Sequence, residues 1–210
     1  AFGAGVLISA LAFDLVDEAE TTGGLAATVV GFLGGATAYV LANVVLARRG
    51  ARHRKRSRDL QPSEDEQEGS GTAIAVGALL DGVPESVVLG LSLLGGAGVS
   101  VPVLAAIAIS NLPEGLSSAA GMKRKGRSAA YVFGVWGGIA LASGIAGTLG
   151  VLALDGASPQ LVAVITAVAA GAILAMVADT MIPEAFEETH LFTGLIATVG
   201  FITAFAISRA

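Results

Sequence analysis

The chain has 210 residues, 54% hydrophobic and 14% charged, with a formal net charge of −5 and a mean hydropathy of +0.77. Soluble domains average about 25% charged residues, so this composition argues against a water-soluble globule. The absence of cysteine removes disulfides and thiolate metal sites. The apolar residues fall in blocks of roughly 20, the number that crosses a ~30 Å hydrocarbon core at 1.5 Å per residue. An all-α, polytopic transmembrane bundle is the predicted fold class, with residues 1–210 as a single transmembrane domain.

Seven spans are predicted, at about 1–19, 23–47, 71–95, 100–122, 128–153, 159–182 and 190–208. The first opens on AFGAGVLISALAF, already mid-helix in character and without the basic start of a signal peptide, so further residues are expected ahead of Ala1. Pairs such as Gly31/Gly35 and Gly134/Gly138 put small residues four apart. That spacing lets membrane helices approach closely, and together with the small-residue faces it permits a homodimer. Between the second and third spans, RRGARHRKRSRDLQPSEDEQEGSG is a basic run followed by an acidic one. Its composition reads as a solvated, disordered loop at about 48–70, and its single histidine argues against a regulatory metal-binding loop. Arg48, Arg49, Arg52, Arg54, Lys55, Arg56 and Arg58 lie in that linker, and Lys123, Arg124, Lys125 and Arg127 in another. Two spans separate the linkers, so both face one side, and the excess of positive charge makes that side the cytoplasm. The expected location is the plasma membrane, with the lipid bilayer as partner and no role for nucleic acid.

The acids within the spans carry the chemistry. Burying an uncompensated carboxylate in hydrocarbon costs at least ~2.5–3.5 kcal/mol, yet Asp81, Glu85, Glu114 and Asp179 all fall inside predicted spans that hold no lysine or arginine. Asp14 and Glu18 lie towards the outer end of the first. Protonation, water or bound cations remain as remedies, and acids without bases are what a cation pathway needs. Asp81 and Glu85 are one helical turn apart, an interval that Ser110 and Glu114 repeat, with Asn111 three residues before Glu114. The short connection between these spans makes them antiparallel neighbours whose oxygens face each other. Each of Glu85, Glu114 and Glu184 follows a proline. Proline in a helix frees the carbonyl four residues back, here those of Leu80, Ile109 and Asp179. Freed carbonyls are tolerated at membrane depth where they line a cavity or meet an ion. Carboxylate and carbonyl oxygen together make a hard, anionic site for a metal cation.

At these residues the sequence resembles the ZIP family (Zrt/Irt-like divalent metal transporters). The family's fourth helix carries His-Asn-x-Pro-Glu-Gly, and Asp81-Gly82-Val83-Pro84-Glu85-Ser86 fills that slot; Asn111-Leu112-Pro113-Glu114-Gly115 matches the fifth. Asp14-Leu15-Val16-Asp17-Glu18-Ala19 is similar to the second helix's His-Leu-Leu-Pro-Glu-Ala, and Asp179-Thr180-Met181-Ile182-Pro183-Glu184 to the seventh's Glu-Glu-Ile-Ile-Pro-Glu. The resemblance covers the whole chain apart from the family's first helix. It implies a metal site between the fourth and fifth helices, with Asp81, Glu85, Ser110 and Glu114 as ligands. A second, adjoining site in some members maps to Gly82, Asn111 and an acid that SGIAGTLG lacks, so a single site is expected. Where the family has histidine this chain has Asp14 and Asp81, which hardens the site and strengthens manganese, ferrous iron or magnesium against zinc.

The expected function is secondary transport of a divalent cation as substrate, zinc first and then manganese, iron or magnesium, into the cytoplasm, with no organic cofactor and no enzymatic activity. Asp81, Glu85 and Glu114 bind the ion, Ser110 and Asn111 complete its shell, and Asp14, Glu18, Asp179 and Glu184 line the pathway. No GxxxxGK[ST] loop is present to couple transport to ATP. One rival is an intramembrane aspartyl protease with Asp81 and Asp179 as its dyad. Another is a non-transporting metal-binding protein or sensor. A permease for organic anions is disfavoured by the lack of aromatic or basic residues near the acids in the sequence.

Overall fold

The structure, a computed structural model, describes residues 1–49, 51–53, 66–67, 70–94 and 98–209; the side chains of His53, Ser70, Pro102, Pro113, Glu114 and Glu188 lie outside that description. All described secondary structure is helical. Helix α1 (Phe2–Ala10) runs through a π-helical turn (Leu11–Leu15) into α2 (Val16–Gly23), and α3 (Leu25–Ala47) follows. Then come α4 (Ser70–Leu91), α5 (Val101–Arg124), α6 (Ala129–Leu154) and α7 (Pro159–Met176). A second π-helical turn (Val177–Met181) carries α7 into α8 (Ile182–Thr189), and α9 (Thr193–Ser208) closes the chain.

Six helical runs are long and apolar enough to cross a membrane: α3, α4, α5, α6, α7 with its continuation, and α9. The chain is an all-α transmembrane bundle and an integral membrane protein. The remaining predicted span, 1–19, is a continuous helical run from Phe2 to Gly23, with Asp14, Asp17, Glu18 and Glu20 in its second half. The span predicted at 159–182 extends further, to Thr189: the helix runs on past Pro183, which follows directly on the π-helical turn. Serine starts three helices: Ser100, Ser128 and Ser158 accept hydrogen bonds from the backbone N–H of Val103, Tyr131 and Leu161. Gly24, at φ +82°, separates α2 from α3 in a conformation that favours glycine.

The core centres on α1 and α7, whose Ala4, Val6, Leu7, Ala170, Ile173 and Met176 are all buried. Apolar lipid gives helices little hydrophobic reason to associate, so close backbone approach carries the packing. Reciprocal glycines show it. A Cβ at Gly35 of α3 would lie 1.9 Å from the Val168 carbonyl oxygen of α7, and one at Gly171 of α7 would lie 2.0 Å from that of Phe32. Helices α1 and α9 repeat the device, Gly5 against Ala197 at 1.8 Å and Gly200 against Phe2 at 2.1 Å. Helix α4 packs mainly on α6 and α7, whereas α5 packs mainly on α1.

Most of the expected loop at about 48–70 lies outside the described residues. Its described C-terminal part meets the second basic linker, Lys125 Nζ lying 3.2 Å from the Glu66 carboxylate, and its two ends meet each other, Gln67 Nε2 donating to the Arg48 carbonyl oxygen at 3.2 Å. Both basic linkers therefore sit at one end of the bundle.

Candidate metal centre

Asp81 and Glu85 stand one turn apart on α4 and are buried, 7% and 2% exposed. A neutral donor from a different neighbouring helix holds each. Tyr39 of α3 donates its hydroxyl to Asp81 Oδ1 at 2.7 Å, within the buried interior. Asn111 of α5 donates Nδ2 to Glu85 Oε2. The two acids and Asn111 line one cavity of about 210 Å³, whose α6 wall is formed by Trp136, Ile139 and Ser143. No Lys, Arg or His is among its described lining residues. The cavity therefore offers hard oxygen donors and net negative charge, the chemistry of a divalent cation site.

The other candidate residues divide. Ser110 is buried but does not line the cavity; it packs against α1, where a Cβ at Gly3 would meet the Ser110 Cα at 3.1 Å. One residue along a helix turns a side chain by about 100°, which separates Ser110 from Asn111. The backbone places position 114 within α5, one turn beyond Ser110, but the Glu114 side chain lies outside the described residues. Among the described residues no group of three or more His, Cys, Asp or Glu comes together.

The pathway acids sit apart from the cavity. Both Asp14 and Asp179 fall within the π-helical turns, where an extra residue per turn loosens the backbone ladder. Asp14 accepts a hydrogen bond from Ser208 Oγ at 2.8 Å, at the C-terminal end of α9. Asp179 shares a surface cleft with Asn43, Arg48 and Arg52, at the end that carries the basic linkers. Glu18 is exposed on α2 and Glu184 is partly buried on α8. Asp81 and Asp179 line separate clefts, so they do not form the shared-proton pair an aspartyl protease needs. Of the three prolines at which the sequence placed backbone irregularities, Pro183 directly follows one, the π-helical turn of Asp179; α4 continues as helix through Pro84 and α5 through position 113, and the other irregular turn is that of Asp14.

Among the residues at the site that escaped the sequence reading, two are aromatic. Tyr39 is hydrogen-bonded to Asp81, and Trp136 lines the cavity with its indole N–H buried and lacking a hydrogen-bond partner among the described residues. The expectation of no aromatic residue near the acids is thus corrected. The signal was present for Tyr39: with Gly31, Gly35 and Asn43 it continues one i,i+4 line along α3. Gly82 faces Ser143, whose Oγ would lie 3.3 Å from a Cβ there, so the neighbouring α6 position carries a neutral hydroxyl. Scanned against models of protein families and against curated proteins, the chain gives no match.

Proposed function

We propose that this chain transports a divalent metal cation across its membrane, with the cavity between α4, α5 and α6 as the midway binding site. The observation that carries the reading is the pair Asp81 and Glu85, buried side by side on one cavity with the Asn111 amide beside them and no basic residue in the described lining. Two carboxylates at this depth are costly alone and favourable with a cation between them. The resemblance of four segments to the ZIP pattern supports transport over static binding, as does the position of Asp14 and Asp179 towards opposite ends of the bundle. Carboxylate, amide and hydroxyl donors suit manganese, ferrous iron and magnesium; zinc also accepts carboxylates and stays first on the strength of the resemblance. With the basic linkers inside a plasma membrane, the ion enters at the Asp14 end and leaves at the Asp179 end, towards the cytoplasm.

The test is uptake of Zn²⁺ and Mn²⁺ by proteoliposomes holding the wild type, Glu85→Ala or Glu114→Ala. Loss of a ligand is expected to lower uptake by about 100-fold or more, since even groups behind the ligands are worth 10–100-fold. Wild-type flux retained in Glu85→Ala would remove the cavity from the pathway. Tight binding by the wild type without any flux would make the protein a metal-holding sensor.

A further inference from the structure

The cavity's charge attracts every divalent cation alike, so selectivity must come from how its oxygens are held. Tyr39 is almost wholly enclosed, 2% exposed, which fixes its hydroxyl in place. At 2.7 Å its bond to Asp81 Oδ1 falls in the range of a hydrogen bond strengthened by charge. A carboxylate oxygen committed to such a donor is poorly disposed to share a metal with its twin. A cation in the cavity then engages Asp81 through one oxygen alone. Asn111 places the same limit on Glu85 by donating to Oε2. Singly bound carboxylates fit small ions with ligands at about 2.0–2.2 Å. Calcium takes 6–8 oxygens at about 2.3–2.6 Å and draws on carboxylates that give both.

We infer that Tyr39 is a specificity-determining, positioning residue, which restricts Asp81 to one-oxygen coordination and so excludes calcium in favour of smaller divalent cations. The inference rests on the metal-site reading above and deepens it. Tyr39 acts through Asp81 and touches no cargo itself.

The experiment is calorimetric titration of the purified full chain with Mn²⁺ alone and with Ca²⁺ alone. Wild type is expected to prefer Mn²⁺. Tyr39→Phe, which deletes one hydroxyl and keeps the ring, is expected to narrow that preference by about tenfold or more. In an Asp81→Asn background, Tyr39→Phe is expected to change nothing further, an outcome a merely structural tyrosine does not produce. Helical circular dichroism and a single elution peak establish that each variant is folded. If Tyr39→Phe does not fold, Asp81→Glu, which shifts the carboxylate relative to the hydroxyl, is expected to relax the preference in the same direction. An unchanged Mn²⁺/Ca²⁺ ratio in the folded variant overturns the role of Tyr39. If Glu85→Ala abolishes binding while that ratio holds, only Tyr39's role falls. If wild type binds neither ion, or Glu85→Ala binds both as wild type does, the site itself falls and the inference with it.

Discussion

Glu85 and Asp81, when both are ionised, repel each other across one turn of α4, in surroundings that offer little water to screen them. A sequence keeps such a pair against its own stability only where something else favours it. Glu85→Gln keeps the shape and an acceptor for Asn111 but removes the charge. The metal-free variant is therefore expected to be more stable than wild type, because one of two neighbouring carboxylates is removed from a buried site. Wild type is expected to gain about 2.7 kcal/mol from Mn²⁺ or Zn²⁺ at 100 times the dissociation constant, and Glu85→Gln to gain nothing. Thermal unfolding in detergent, with and without metal, measures both; an equal metal response in the two proteins would take Glu85 out of the ligand set. At this scale the sequence was readable where spacing within one helix decides the matter, as for Asp81 and Glu85. It was not readable where rotation between helices decides, which is why Ser110 turns to α1 and Asn111 to the cavity. Nor was the Tyr39–Asp81 bond, which joins residues 42 apart in the chain.

Helix α3 shows how an element delivers a residue to a site. Its buried face runs Gly31, Gly35, Tyr39, and the first two let α3 lie against the α7 backbone. That close approach sets the position of Tyr39 beside Asp81, so the glycines act on the cavity without touching it. Gly35→Ala would put a methyl group 1.9 Å from the Val168 carbonyl oxygen, which cannot rotate away. The helices must separate, at a cost of about 3 kcal/mol. Gly34, one position along, has nothing within 4 Å of a built Cβ, so Gly34→Ala is expected to stabilise by about 0.5–1 kcal/mol through helix propensity. Unfolding temperatures of the two variants decide this, and equal effects would mean that α3 and α7 do not meet through glycine. Block length marked the spans well, because hydrophobic thickness constrains a helix strongly. The π-helical turn at Asp14 left no such mark, since one extra residue in a turn leaves composition and block length unaltered, whereas the one at Asp179 was marked by Pro183 just beyond it.

For the whole molecule, orientation connects the candidate site to the proposed direction of transport. The Lys125–Glu66 ion pair, at 3.2 Å, holds the end of α5 to the linker that leads into α4, so the basic residues gather at one end by contact as well as by count. Val99 before α5 and Asp155 after α6 then belong to the opposite end, because α5 and α6 each cross the bundle once. The chain has no cysteine, so single cysteines report position cleanly. In intact cells, a membrane-impermeant maleimide is expected to label Val99→Cys and Asp155→Cys at once. Glu66→Cys and Arg124→Cys are expected to react only after permeabilisation. Positive charge resists translocation, and seven basic residues in one linker make that resistance strong. A reversed pattern would keep the bundle and invert the proposed route, with Asp179 at its entrance and Asp14 at its exit. A mixed pattern, with positions 66 and 124 on different sides, would break the ion pair's geometry and the antiparallel arrangement of α4 and α5 that brings Asn111 to Glu85.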